Sequence, residues 1–164
     1  MNKQTQDYLG ALMLPVRLVA SWLFLSAVWR RFVLAPGKHD FQSEAWLGHK
    51  INDFLPHANA GFYQALEYMM RNPEWLNAFT YLFTFTELVL GILFLLGRFS
   101  RATGLLLVSL SIGLMHTACW LGPTCLDEWQ IASLLVTFGA VMTLYGSGSF
   151  SADNWLMKQY SSLR

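Results

Sequence analysis

Charged side chains are scarce in this chain. Asp, Glu, Lys and Arg make up 13% of its 164 residues, hydrophobic residues make up 54%, and the mean hydropathy is +0.36. A soluble domain carries about a quarter charged residues, so an ordinary water-facing surface is excluded and a membrane protein is expected. The net charge is only +1. No strong polyanion-binding field follows from it, and no basic stripe marks a nucleic-acid partner. A clear apolar h-region followed by a small-residue cleavage site is missing from the N-terminal stretch, so a cleaved signal peptide is not expected. There is no internal repeat or low-complexity tract, and residues 1–164 read as one domain.

What is present is apolar length. A spanning helix needs about 20 mostly apolar residues. Four stretches qualify, at about 9–35, 76–96, 102–121 and 129–146, the last with Trp129 as an interfacial start. The turns "GRFSR" and "GPTCLDE" are short, which makes neighbouring spans antiparallel. Runs this long are helices rather than barrel strands. The expected fold is an all-α integral membrane protein, a four-transmembrane-helix bundle. In the long first loop, residues 36–73, Leu47, Ile51, Phe54 and Leu55 fall at helical spacing, as do Phe62, Leu66, Met69 and Met70, with Pro56 between the runs. Short amphipathic helices lying on the outer face fit that pattern.

The positive-inside rule is nearly balanced. Arg98, Arg101, Lys158 and Arg164 fall on one side, and Arg30, Arg31, Lys38, Lys50 and Arg71 on the other. The tight turn holding Arg98 and Arg101 reads as cytoplasmic. That places both termini in the cytoplasm and the long loop outside.

Polar residues within lipid usually find partners or mark function. Arg17 in the first span and Glu87 in the second fall at similar depths and are expected to pair, as a structural clasp or as a polar foot for a quinone head group or proton path. A second group gathers at the outer end. Arg30 and Arg31 close the first span, and read as interfacial anchors or as holders of an anion, Arg31 above all as an anchor. His116 and Cys119 end the third span. Cys125, Asp127, Glu128, Trp129 and Gln130 open the fourth. His116 is either a hydrogen-bonded structural imidazole or a group that titrates near neutral pH. Asp127 and Glu128 are either caps of the fourth helix or part of the chemistry. Cys119 and Cys125 are six residues apart across an expected turn with Gly122 and Pro123, a spacing that would let the turn bring them within disulfide range. The pair is either a staple or a dithiol that exchanges with a sulfur substrate. Two Cys and one His lack a closed zinc set, and there is no CxxCH or paired transmembrane histidine for haem.

"RLVASWLFLSAVWRRF", "ELVLGILFLLGRFSRATG", "GPTCLDEWQIAS" and "YGSGSFSADNW" occur in order along the chain. Together they resemble the DoxD/DoxX membrane-protein family, and most of all DoxD, the small subunit of thiosulfate:quinone oxidoreductase. The ending aligns at Gly146, Gly148, Ser151 and Asp153. The resemblance implies oxidation of thiosulfate to tetrathionate, with electrons passed to a membrane quinone, ubiquinone or menaquinone. It also implies a bacterial or archaeal cytoplasmic membrane and a second, DoxA-like subunit as a separate partner, alongside the lipid bilayer and a potential second copy of the chain.

The residues add a mechanism to that. Cys119, Cys125, His116 and Glu128 form the expected catalytic set. Arg30, Arg31, Asp127, Gln130 and Trp129 form the substrate-binding set, while Arg17 and Glu87 are the quinone-binding or structural ion pair, and no metal is expected. Two other readings stay open: a quinone-linked thiol oxidase using the same cysteines, and a non-catalytic anchor for a partner redox protein. A transporter is disfavoured, because no inverted repeat or broken helix is visible.

Overall fold

The computed structural model describes residues 3–40, 42–117, 126–146, 148 and 150–161. Described residues form helices and turns with no strand. Helix α1 covers Lys3–Trp29 and runs into a π-helical turn, Arg30–Leu34, followed by a 3-10 turn, Pro36–His39. Helices α2 (Leu47–Phe54) and α3 (Ala60–Arg71) follow, separated by a 3-10 turn around Pro56. Then come α4 (Pro73–Leu96), α5 (Ser100–Thr117), α6 (Leu126–Tyr145) and α7 (Ala152–Ser161).

Local sequence explains the ends of α4. Pro73 opens it, where a missing N–H costs nothing. Gly97 closes it in the left-handed region (φ 65°), with its N–H and that of Arg98 returning to the last-turn carbonyls. A residue with a Cβ is strained there.

Helices α1 and α4 pack antiparallel. Ser21 Oγ donates to the Gly91 carbonyl at 2.8 Å, and Phe24 stacks on Phe94 at 6.2 Å. Gly91 is needed for that approach, since a Cβ there would lie 2.9 Å from Leu25. Helices α5 and α6 pack even closer, backbone against backbone. A Cβ on Gly104 would meet the Gly139 carbonyl oxygen at 2.8 Å, and one on Gly139 would meet that of Gly104 at 2.7 Å. Ala20, Phe24, Leu90, Phe94, Leu107, Leu135 and Met142, drawn from all four long helices, make one core.

Two stretches among the described residues are long and apolar enough to cross a membrane, Gly10–Leu34 and Pro73–Leu96. The apolar part of α6, Trp129–Tyr145, is shorter, and the third expected span runs on past the described residues. The outer faces are apolar: Trp22 is 72% exposed and Leu82 67%. An apolar surface of this extent is one that lipid covers.

Candidate functional site: a polar layer where α1 meets the loop

The expected Arg17–Glu87 pair does not form. The antiparallel register sets Arg17 beside the last turn of α4, and brings Arg31, about 21 Å further along α1, to Glu87. Counting depth from the start of the apolar run misplaced Arg17, because α1 begins at Lys3 and reaches beyond the end of α4.

Arg17 is a cap. Its Nε donates to the Phe94 carbonyl (3.0 Å), Nη2 to that of Leu95 (2.8 Å) and Nη1 to that of Phe150 (2.6 Å). The end of α4 exposes carbonyls that its own helix cannot satisfy, and a planar five-donor fork serves several at once. Close by, Asp153 caps the start of α5. Its carboxylate accepts from the Phe99 and Ser100 N–H groups (3.0 and 3.1 Å) and from the Ser100 hydroxyl (2.9 Å).

Arg31 was expected above all to be an interfacial anchor. Instead it is half-buried and forms the ion pair with Glu87, which is 6% exposed. Nη1 donates to Glu87 Oε2 and, at 3.1 Å, to Thr84 Oγ1, while Nη2 reaches Oε1 at 3.4 Å. The Phe83 ring lies 5.6 Å beneath the guanidinium. Thr84 passes its own proton to the Thr80 carbonyl at 2.7 Å. Arg31 belongs to the π-turn, where Ala35 N–H returns to the Arg30 carbonyl, a distortion often found at functional sites. Its neighbour Arg30 is exposed, and its guanidinium has no hydrogen-bond partner among the described residues.

The turn Pro36–His39 sits directly on this layer. Its position is set by Asn77 of α4, which donates to the His39 carbonyl at 3.0 Å and accepts from Trp46 Nε1 at 3.4 Å. The His39 ring packs against both Phe32 (4.9 Å) and Tyr81 (4.6 Å), whose own rings are 5.9 Å apart, so the three form a triangular cluster. Both of its ring nitrogens are enclosed and lack a hydrogen-bond partner among the described residues. Burial, then Arg31 and Lys38, hold its pKa below the usual histidine range. Lys38 is lowered too, first by burial and then by Arg30, Arg31 and Lys50. The charges acting on Lys38 among the described residues are thus all positive.

His116 ends α5 and is bound to the loop. Its carbonyl accepts from the Asn59 N–H at 3.0 Å, the Asn59 amide contacts Nδ1 at 3.3 Å, and the ring stacks on Phe62 at 5.7 Å. Gln130 is exposed and Trp129 half-buried in α6. Asp127 and Glu128 lie in the first turn of α6, their side chains outside the described set. Cys119 and Cys125 lie outside the described residues.

A family model described as "TQO small subunit DoxD" matches residues 12–164. The chain belongs to the DoxD family. No solved structure matches it. DoxD membership and the apolar helices make this a membrane subunit of a quinone oxidoreductase.

Within this DoxD chain, sequence reasoning missed His39, Lys38, Lys50, Asn59, Asn77 and Thr84. One signal for the first two was available. Lys38 and His39 follow Pro36-Gly37, a turn directly after an apolar span, so they were bound to fold back on the span's end.

Proposed function

We propose that the chain is the membrane subunit of a thiosulfate:quinone oxidoreductase. It takes thiosulfate at the end carrying the long loop, oxidises it to tetrathionate and passes the electrons to ubiquinone or menaquinone. The observation that supports this reading best is the cluster of positive side chains around Lys38. Arg30, Arg31 and Lys50 all act on it, and a dianion is the ligand that relieves such a group. Arg31 is engaged by Glu87, so Arg30 and Lys38 do the binding, through charge-assisted hydrogen bonds.

In this reading four helices cross the bilayer with both termini in the cytoplasm, and α2 and α3 roof the outer face. Cys119 and Cys125 form a disulfide there. The sulfane sulfur of one thiosulfate attacks it, making a mixed disulfide and releasing one cysteine thiolate. A second thiosulfate attacks the mixed disulfide, which frees tetrathionate and the other thiolate. Quinone takes up two electrons and two protons as the disulfide re-forms. His116, placed by Asn59, and Glu128 handle protons. A DoxA-like subunit completes the enzyme.

The test is quinone reduction by the purified protein, alone and with its partner subunit, using thiosulfate as donor and a short-chain ubiquinone as acceptor. Lys38→Gln should raise the thiosulfate KM about tenfold, the loss of one hydrogen bond to a charged group, and leave the quinone KM unchanged. Cys125→Ser should abolish turnover. Absence of thiosulfate-dependent reduction in both preparations overturns the reading. Reduction that survives Cys125→Ser removes the cysteines from the mechanism.

A further inference from the structure

We infer that the quinone head group docks on the layer formed by Arg31, His39, Tyr81 and Glu87, beside the anion site rather than in it. The inference rests on the quinone-linked reading above and assigns its second substrate a place.

The first ground is His39. Folded proteins rarely leave buried polar atoms unpaired, and each case calls for an explanation. Here an imidazole packs in a cluster with two aromatic rings, with both nitrogens enclosed and unpaired among the described residues. A neutral imidazole has one donor and one acceptor to offer. The second ground is Arg31. Its hydrogen bonds to Thr84 and Glu87 use Nη1 and Nη2, so Nε–H remains as a donor among the described residues. A quinone carbonyl accepts from either group.

The third ground is access. Phe32 and Tyr81, which pack against His39, are 44% and 49% exposed, and Leu82 and Phe85 beside them are exposed as well. This is the lipid-facing side of α4. A flat ring on an apolar tail, arriving from the bilayer, meets aromatic faces first and hydrogen-bonding groups just inside them. Sites for such ligands are mostly apolar with a few placed polar groups.

The fourth ground separates the two substrates. Glu87 repels a dianion and tolerates a neutral ring. Lys38 is acted on by Arg30, Arg31 and Lys50 among the described residues and suits the anion. Residues 38 and 39 are neighbours in one turn, so the anion and the quinone are held side by side.

The test is binding rather than turnover. A short-chain ubiquinone analogue is titrated into the full chain in lipid nanodiscs, with tryptophan fluorescence as the readout, and thiosulfate is titrated separately by calorimetry. His39→Phe keeps the ring stack and removes both nitrogens. It should raise the quinone Kd at least tenfold and leave the thiosulfate Kd unchanged. Thr84→Val alters the same layer without touching a charge, and should weaken quinone binding by several-fold. An unchanged quinone Kd in both variants overturns the docking site and leaves the proposed function standing. A wild-type chain that binds thiosulfate but no quinone overturns the two together.

Discussion

Replacing Arg31 with Gln leaves the Glu87 carboxylate buried without its counter-charge. Breaking such a pair from one side costs about 3–5 kcal/mol, so Arg31→Gln should lower the midpoint of unfolding in SDS sharply. Adding Glu87→Gln removes the stranded charge, and the double variant should recover much of the loss. Arg30→Gln, one residue away, should shift the midpoint hardly at all, because that guanidinium is exposed. Equal losses at 30 and 31 would refute the assignment. That one of two adjacent arginines is structural was not legible in "WRRF". Both sit at the end of an apolar run, and only the packing of α1 on α4 distinguishes them. Glu87 was legible as a residue in need of a partner, since a carboxylate within an apolar helix always is. Which arginine supplied it depended on helix register, to which apolar length is blind.

At the level of elements, each of the four apolar runs overlaps one long helix among the described residues, and Pro73 and Gly97 bound α4. The π-turn Arg30–Leu34 carries no comparable signal, yet it leads into the turn Pro36–His39. That turn carries His39, whose titration the fold shifts downward by burial and by the nearby Arg31 and Lys38. The fold keeps the His39 ring neutral to a lower pH than the unfolded chain does, whose histidine titrates near about 6.5. As pH falls through that value the unfolded chain binds the proton first. Stability is therefore present above about pH 6.5, and is lost on acidification until the folded ring also protonates. The thermal midpoint of the wild type should fall between pH 7.5 and pH 5.5. In His39→Phe that fall should shrink. A variant with the full wild-type pH dependence would show that the ring stack plays no part in it.

Across the whole molecule, three of the four short sequence signatures that suggested the family converge at the end of the bundle opposite the loop. Arg17 from the first signature, Gly97 from the second and Phe150 and Asp153 from the last meet there. A Cβ on Gly97 would lie 2.5 Å from Arg17 Cζ. The guanidinium thereby joins the end of α4 to the segment before α7, and Asp153, whose charge acts on Arg17, caps α5. Helix pairs α1·α4 and α5·α6 are thus tied by one clasp made of residues far apart in the chain. If the clasp acts as a unit, its parts are not additive. Arg17→Lys keeps the charge but has no planar fork, and should destabilise the chain because a point charge cannot serve three carbonyls. Asp153→Ala should cost about 1 kcal/mol, as for a lost N-cap. Measured together in a double-mutant cycle, the two should show a coupling of roughly 0.5–3 kcal/mol, the range for residues in one network. Strict additivity would mean that each cap serves its own helix alone, and that the two pairs are held together by the core around Phe94 and Leu107.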